Sequence, residues 1–521
     1  MNRCGRVVIG LVLMGMVLFS GQAWAGLNVG EIPIQHHGRI KPFSAFAQET
    51  LQYITGKKRW HGEGASLFLI RRLNAPQQFL TIPFIRIDHP ELKKILGLSA
   101  EENYFSEEKI KLSLNTLSGI VQSVGEKRNK DLRPSTMEQQ AETVYGRVMV
   151  VEHLSTGELM TVIPGADGKA WVSPYVVSSK ESETFKRLAQ DIAGNAPGVQ
   201  QELSSWVNNV SGFLGKNMWS RVRMEAGYYV FQPFFYAGVF YFLGFLFLLF
   251  KSVGVQRLGK IVLVAGFLAH AAGILLRWVI LLRPPVANMY ETMIFMDLVL
   301  MLAVGVFVLF QKRSSLLSSG AIVSALVMLY ANLLPVDQSL DVVTPVLRSS
   351  YWLTIHVITI ISSYSLFAFA TGVSHRHLFL SVQGKLTPEE DQMSAHSILR
   401  LLQAGLIALG AGTILGGVWA NEAWGRFWGW DPKETWAFIT FLGYMAILHL
   451  RYSKKLTNFG LAVGSILGFL LVMMTWYGVN FILGRGLHSY GSGSGGLVWV
   501  VYFLIFELGF LAFVFGRRKK I

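Results

Sequence analysis

Cysteine is almost missing from this chain: one residue in 521, Cys4. One thiol can form neither an internal disulfide nor a CxxC pair, so thiol catalysis within the chain is excluded if the leader that carries it is removed. Charge is scarce too, at 15% of residues, against about 25% in an ordinary soluble protein. Hydrophobic residues make up 52% and the mean hydropathy is +0.41, the balance of a membrane protein. Acids are the scarcer charge, 32 Asp+Glu against 47 Lys+Arg, for a net +15. In a soluble protein that surplus would suggest nucleic acid. Here membrane topology accounts for it, and no nucleic-acid partner is expected.

The first segment has Arg3 and Arg6, an apolar run, and then Ala23-Trp24-Ala25, the small-x-small pattern of a cleavage site. Residues 1–25 are expected to be an export signal, with an uncleaved anchor as the alternative. Residues 26–227 have ordinary polarity and form an expected extracytoplasmic soluble domain of mixed α+β type. Strands are expected from alternation such as Arg147 to Glu152, solvated helices from Glu101 to Arg133, and helix from Glu181 to Leu214.

From residue 228 to 521 the chain becomes a series of apolar runs of the length that crosses about 30 Å of hydrocarbon as helix. Nine transmembrane helices are expected, near 229–250, 261–282, 291–310, 316–334, 351–373, 398–419, 435–450, 459–483 and 497–515. The fold class is therefore a polytopic α-helical membrane protein with an N-terminal soluble domain. If the soluble domain lies outside, the inner loops and tail hold fifteen Lys and Arg and the outer loops after the first span hold five, as the positive-inside rule requires.

Between the sixth and seventh spans lies WGRFWGWDPKETW, Trp424 to Trp436. An interfacial belt takes one or two rings at a span end. Here Trp419, Trp424, Phe427, Trp428, Trp430 and Trp436 follow one another. A platform for a planar ligand is the sharper alternative, with Gly425 and Gly429 allowing close approach and Asp431-Pro432 stiffening the turn. His356, at the outer end of the fifth span, and His488, in the loop after the eighth, lie at the same expected depth. Two such imidazoles could supply axial nitrogens to a porphyrin iron, or be simply solvated or hydrogen-bonded. His449 near the far end of the seventh span and His270 in the second are intramembrane polar groups, candidates for function or for packing. His375 and His377 are expected to be solvated in a loop.

WGRFWGWDPKETW resembles the tryptophan-rich WWD signature of haem-handling proteins, and residues 229–515 resemble CcsA, the membrane component of the System II cytochrome c synthase. RPPVANMYE (Arg283 to Glu291), IHV at His356 and LHS at His488 support the resemblance, and IPIQHHGRIKPFSAF more weakly resembles the exported domain that precedes CcsA in some lineages. The resemblance implies a haem cofactor, haem b (iron protoporphyrin IX), with His356 and His488 as axial ligands at an outer site and His449 at an inner membrane site. It implies an aromatic platform of Trp424, Phe427, Trp428, Trp430 and Trp436 with Asp431. Arg426 and Lys433 are candidate propionate contacts. So is Arg277, which could instead pair with Asp297.

Fused relatives carry a CcsB (ResB) half, so a separate CcsB/ResB-like partner is implied, together with an apocytochrome c bearing CxxCH, and thiol-reducing proteins are further candidate partners. The implied activity is placing haem for thioether attachment as part of a holocytochrome c synthase, with the C-terminus cytoplasmic in a bacterial inner membrane. A haem exporter or delivery subunit without ligation activity is the alternative. A transporter of an unrelated solute leaves the tryptophan loop unexplained.

Overall fold

The computed structural model describes residues 29–130, 132, 134–165, 170–311, 314–334, 338–340, 349–483 and 496–518. Cys4 and the expected signal lie outside them. The chain separates into two compact units, with the boundary between Phe231 and Gln232.

The first unit is mainly helical. Its helices of more than eight residues are α1 (Phe43–Thr55), α2 (Ala65–Asn74), α3 (Leu114–Asn129), α4 (Thr136–Thr156), α5 (Lys180–Gly194) and α6 (Val199–Phe231), the last broken at Gly215. Strand structure among the described residues is limited to four antiparallel pairs: β1 (Pro33–His36) with β2 (Arg39–Pro42), β3 (Arg59–Trp60) with β4 (Glu63–Gly64), β5 (Ile85–Arg86) with β6 (Tyr104–Phe105), and β7 (Ile163–Pro164) with β8 (Trp171–Val172). Phe43, Phe46, Phe68, Phe84 and Phe185 anchor one apolar core.

The strand expected at Arg147 to Glu152 is instead the middle of α4. Val144, Val148, Val151 and Leu154 are buried at helical spacing, and the short alternation within them carries less weight than the longer period. A capping box starts this helix, Ser135 Oγ accepting from Glu138 N and Glu138 from Ser135 N. The Lys127 ammonium and the Ser135 N–H hold the Glu138 carboxyl below its ordinary range. The helix expected over Glu181 to Leu214 is two, because Asn195 takes a left-handed conformation and caps α5.

The second unit is a bundle of α7 (Pro233–Leu248), α8 (Val253–Leu281), α9 (Met289–Gln311), α10 (Ser314–Leu333), α11 (Ile358–Val382), α12 (Pro388–Trp424), α13 (Pro432–Tyr452), α14 (Asn458–Met473) and α15 (Gly496–Arg518). Two π-helical segments extend it: π1 (Leu353–Val357) leads into α11, and π2 (Met474–Leu483) follows α14. All nine apolar runs are helices, yet eight among the described residues are long and apolar enough to cross a membrane. The one outside that count is α13. Lys433, Glu434, His449 and Arg451 crowd its ends, leaving a short apolar middle. Multiple membrane-spanning helices make this a multi-pass membrane protein.

Helix α11 sits centrally, packing on α9, α10, α12 and α14. It runs farther than expected, so His375 and His377 lie within it rather than in a solvated loop. His375 Nε2 is 2.9 Å from Glu507 Oε2 of α15, and buried His377 Nε2 is 3.5 Å from Asp391 Oδ1. Apolar packing of the last turns of α11 supplies the enclosure that local polarity in the sequence concealed.

Candidate functional site

A pocket of about 1200 Å³, counted to its open mouth, forms where π1, α12, α13 and π2 meet the segment entering α9. Its lining is mostly apolar with a few polar side chains, as ligand clefts generally are. His356 of π1 lines it, as do Trp424, Phe427, Trp428 and Lys433 from the tryptophan loop and its flanks. One irregular turn of backbone thus faces another, and π segments inside helices often mark functional sites.

His356 is held in a defined orientation. Its Nδ1 is 2.8 Å from the carbonyl oxygen of Gly412. A carbonyl only accepts, so Nδ1 carries the hydrogen and the lone pair of the neutral ring is on Nε2. Histidines that ligate metals commonly donate their other N–H in this way. Gly412 and Gly416 stand one turn apart on α12, and a Cβ on Gly416 would come within 2.6 Å of His356 Cε1. Next to it, a Cβ on Gly417 would lie 2.6 Å from Phe427 Cζ. The two glycines therefore make room for an imidazole and a phenyl ring. Trp419 meets the His356 ring edge-on at 5.7 Å and lies parallel to Trp352 at 6.5 Å, which donates through Nε1 to Glu422 at 2.7 Å.

The tryptophan loop begins where Gly425, at φ 69°, ends α12. It closes on a capping box at α13: Asp431 Oδ1 accepts from Lys433 N at 2.8 Å and from Glu434 N at 3.2 Å. Glu434 Oε2 in turn accepts from Asp431 N at 3.2 Å and Gly429 N at 2.8 Å. Arg426 pairs with Glu434 at 3.3 Å. Asp431 and Arg426 thus have structural work inside the loop, and neither lines the pocket.

Trp430 does not line it either. At φ 56° its backbone is left-handed, the residue is 67% exposed, and its ring packs edge-on against Trp428 at 5.8 Å and Phe438 at 6.5 Å. Trp436 contributes its carbonyl, which accepts from Thr440 at 2.8 Å and from Thr475 at 3.0 Å. Lys433 Nζ donates to Asn480 Oδ1 of π2 at 3.3 Å, so this cation is at the pocket and linked to its opposite wall.

Two expected site residues are elsewhere. Arg277 is fully buried and pairs with Glu291 at 3.1 Å rather than with Asp297, while also donating to the Ser339 carbonyl at 2.9 Å. Glu291 holds Arg283 at 2.7 Å and accepts from Ala287 N at 2.9 Å, so Arg277 acts on the pocket wall from behind. His449 is exposed, with Nδ1 2.8 Å from the Met445 carbonyl of its own helix. His488 lies outside the described residues.

Residues 286–488 match the cytochrome c assembly protein family. The chain is 35% identical over 253 residues to the cytochrome c biogenesis protein CcsA of Trieres chinensis, covering 41% of this chain and 80% of that protein. It is 33% identical over 279 residues to CcsA of Guillardia theta, covering 48% and 90%. The chain belongs to the cytochrome c assembly family.

Its role accordingly lies in cytochrome c biogenesis, which is haem handling. It is also 28% identical over 503 residues to protein NrfI of Wolinella succinogenes, across 89% of this chain. That alignment covers 54% of NrfI, so the chain spans about half the length of this relative.

For a cytochrome c assembly protein, the pocket contains several residues that sequence reasoning missed. Thr475, Trp476 and Asn480 line it from π2, and Trp476 Nε1 donates to Thr292 Oγ1 at 3.1 Å across the opening to α9. The glycines of α12 did leave a signal. Gly412-Thr413-Ile414-Leu415-Gly416 is a GxxxG pattern in an apolar run, the mark of close backbone approach. Here what approaches is the ring of His356.

Proposed function

We propose that this pocket receives haem b on the extracytoplasmic side and positions it for attachment to the CxxCH segment of an apocytochrome c, as the CcsA-type, WWD-bearing subunit of a System II synthase. The observation that carries the reading is the His356–Gly412 hydrogen bond at the pocket, because it puts the lone pair on Nε2 where an axial ligand needs it. Trp424, Phe427 and Trp428 supply flat apolar walls, and Lys433 supplies a cation for a propionate. Family membership and this donor set fit the same substrate.

Haem brings the vinyl carbons and the iron, and the apocytochrome brings the thiols. This chain's work is orientation and exclusion of water. His356 and His488 would ligate the iron, and the substrate's own histidine would then displace one of them. Arg426, Asp431 and Glu434 keep the loop closed upon itself, so that Trp428 and Phe427 are already placed before haem arrives. His449 belongs to an entry site at the cytoplasmic end of the bundle, completed by a CcsB/ResB-like membrane protein. Its exposed ring supports that reading, since a lone imidazole on a helix surface lacks the enclosure His356 has. The soluble domain and the tryptophan loop lie outside and the C-terminus inside, in a bacterial inner membrane.

The test is co-expression with a CxxCH reporter, with and without the CcsB/ResB-like partner, scoring covalent haem on the reporter and the Soret spectrum of the purified chain. A synthase subunit gives covalent product that depends on this chain. Haem in the pocket with no covalent product under any pairing would instead make this a delivery subunit.

A further inference from the structure

Away from the pocket, α8 and α9 run antiparallel and share two rungs of ionisable residues. Arg277 and His270 stand seven residues apart on α8, two turns on one face, while Glu291 and Asp297 stand six apart on α9. All four side chains are fully buried. The first rung, Arg277 with Glu291, has its charges matched: Glu291 takes bonds from Arg277, Arg283 and Ala287 N. The second rung differs. His270 Nδ1 is 3.8 Å from Asp297 Oδ2, and neither carboxyl oxygen of Asp297 makes a hydrogen bond of standard geometry.

The imidazole of that rung has a fixed tautomer. His270 Nε2 is 2.8 Å from the carbonyl oxygen of Ile294, which only accepts, so Nε2 carries a hydrogen. Nδ1 is then the basic nitrogen, and it faces both the Tyr241 hydroxyl of α7 at 3.1 Å and the Asp297 carboxyl. From α10 the Ser324 hydroxyl approaches Asp297, itself buried and without a hydrogen bond of standard geometry. Helix α11 contributes Ser365, whose hydroxyl goes to the Met296 carbonyl rather than to the pair. The charged groups nearest along the helices are Arg277 and Glu291, already committed to one another.

An unpaired carboxylate this far from water is costly, and ionisable groups retained inside spans default to a functional reading. We propose that Asp297 and His270 form an intramembrane proton site that binds one exchangeable proton. With that proton on Asp297 the rung is neutral acid beside neutral imidazole. Transfer from the carboxyl oxygen to Nδ1 of His270 gives carboxylate beside imidazolium, again with no net charge, and moves no electrons. On release of the proton, the rotatable hydroxyls of Ser324 and Tyr241 are the donors at hand for the charge left behind. This inference is independent of the haem reading.

The experiment is infrared spectroscopy of the purified full chain in H₂O and D₂O across pH, comparing wild type with Asp297→Asn. A carboxylic-acid carbonyl stretch that shifts in D₂O, and is lost in Asp297→Asn, is the expected result. Should Asp297→Asn fail to accumulate, ¹³C-aspartate labelling of the wild type shows whether the band is an aspartate's, and Asp297→Glu, which keeps an acid but not the label, is expected to abolish the isotope shift. His270→Gln, which leaves the acid in place, is expected to keep the band and shift its frequency. Superimposable spectra for wild type and Asp297→Asn, or a band unmoved by the label, would overturn the proposal. So would a band that disappears on adding sodium at fixed pH, since the occupant would then be a metal cation.

Discussion

His356 and His449 make the same local bond, Nδ1 to a backbone carbonyl at 2.8 Å, in very different surroundings. The carbonyl for His356 comes from another helix, 56 residues away, and the ring sits in a glycine-lined seat beside Trp419. For His449 the carbonyl is Met445 of its own helix, four residues back, and the ring is exposed. One imidazole is oriented by tertiary structure and the other only by its own helix. Helix α13 joins the two regions, since Lys433 lines the pocket and His449 lies 16 residues on, about 24 Å along the axis. One end of α13 thus borders an enclosed pocket, while the other presents an exposed imidazole.

Removing His356 tests that contrast hardest. His356→Ala is expected to lower haem retained by the purified chain by roughly tenfold or more, since even partners of metal ligands are worth about 10–100-fold. Added imidazole should restore part of the Soret band by filling the axial position. Unchanged haem content and spectrum in the alanine variant would remove His356 as a ligand. Gly416→Ala should act in the same direction more weakly, because its methyl group meets the ring while the nitrogen remains.

The aromatic walls come next. Trp424 and Trp428 line the pocket and Trp430 does not, a division the sequence could not make. Stacked aromatic rings are worth about 1–3 kcal/mol each by analogy with bases on side chains. The double variant Trp424→Ala/Trp428→Ala should therefore lose most bound haem in a pyridine haemochrome assay at equal membrane abundance. Trp430→Ala should retain nearly all of it. Equal losses in the two proteins would mean that the loop turns Trp430 inward when haem binds.

His449→Ala separates the two ends of α13. In the chain purified alone, haem at the pocket should change less than twofold; co-expressed with a CcsB/ResB-like partner, the assembly should carry less haem throughout. A loss of similar size in the lone chain would show that His449 needs no second chain.

Much of this architecture was legible in the sequence because apolar runs near twenty residues have few ways to satisfy their backbone in lipid. The helix bounds at 289–311 and 458–473 with its π extension follow those runs closely. The tryptophan loop and His356 stood out in the sequence because such residues are uncommon together, and His356 and part of the loop border one pocket. What failed did so for physical reasons. Arg147 to Glu152 alternates over too short a window to outweigh the helix around it; His375 looks solvated until Glu507, more than a hundred residues later, is brought beside it, and His377 until Asp391 is. The inward and outward faces of the loop depend on a positive φ at Trp430, which the residue type argues against.

Asp431 should give the smallest effect, and it discriminates between holding the loop and holding the ligand. Its carboxylate starts α13 by accepting from Lys433 N and Glu434 N. Losing such a cap costs about 0.5–2 kcal/mol of stability. Asp431→Ala should therefore lower the thermal midpoint of the purified chain modestly, and Asp431→Ser, which can still cap, should recover most of it. Haem content should stay within twofold of wild type in both, because Glu434 still gathers Gly429 and Arg426 and the pocket wall is made by its neighbours. If instead both variants lost haem with no change in thermal midpoint, Asp431 would be contacting the ligand, and its hydrogen bonds at the helix start would be incidental.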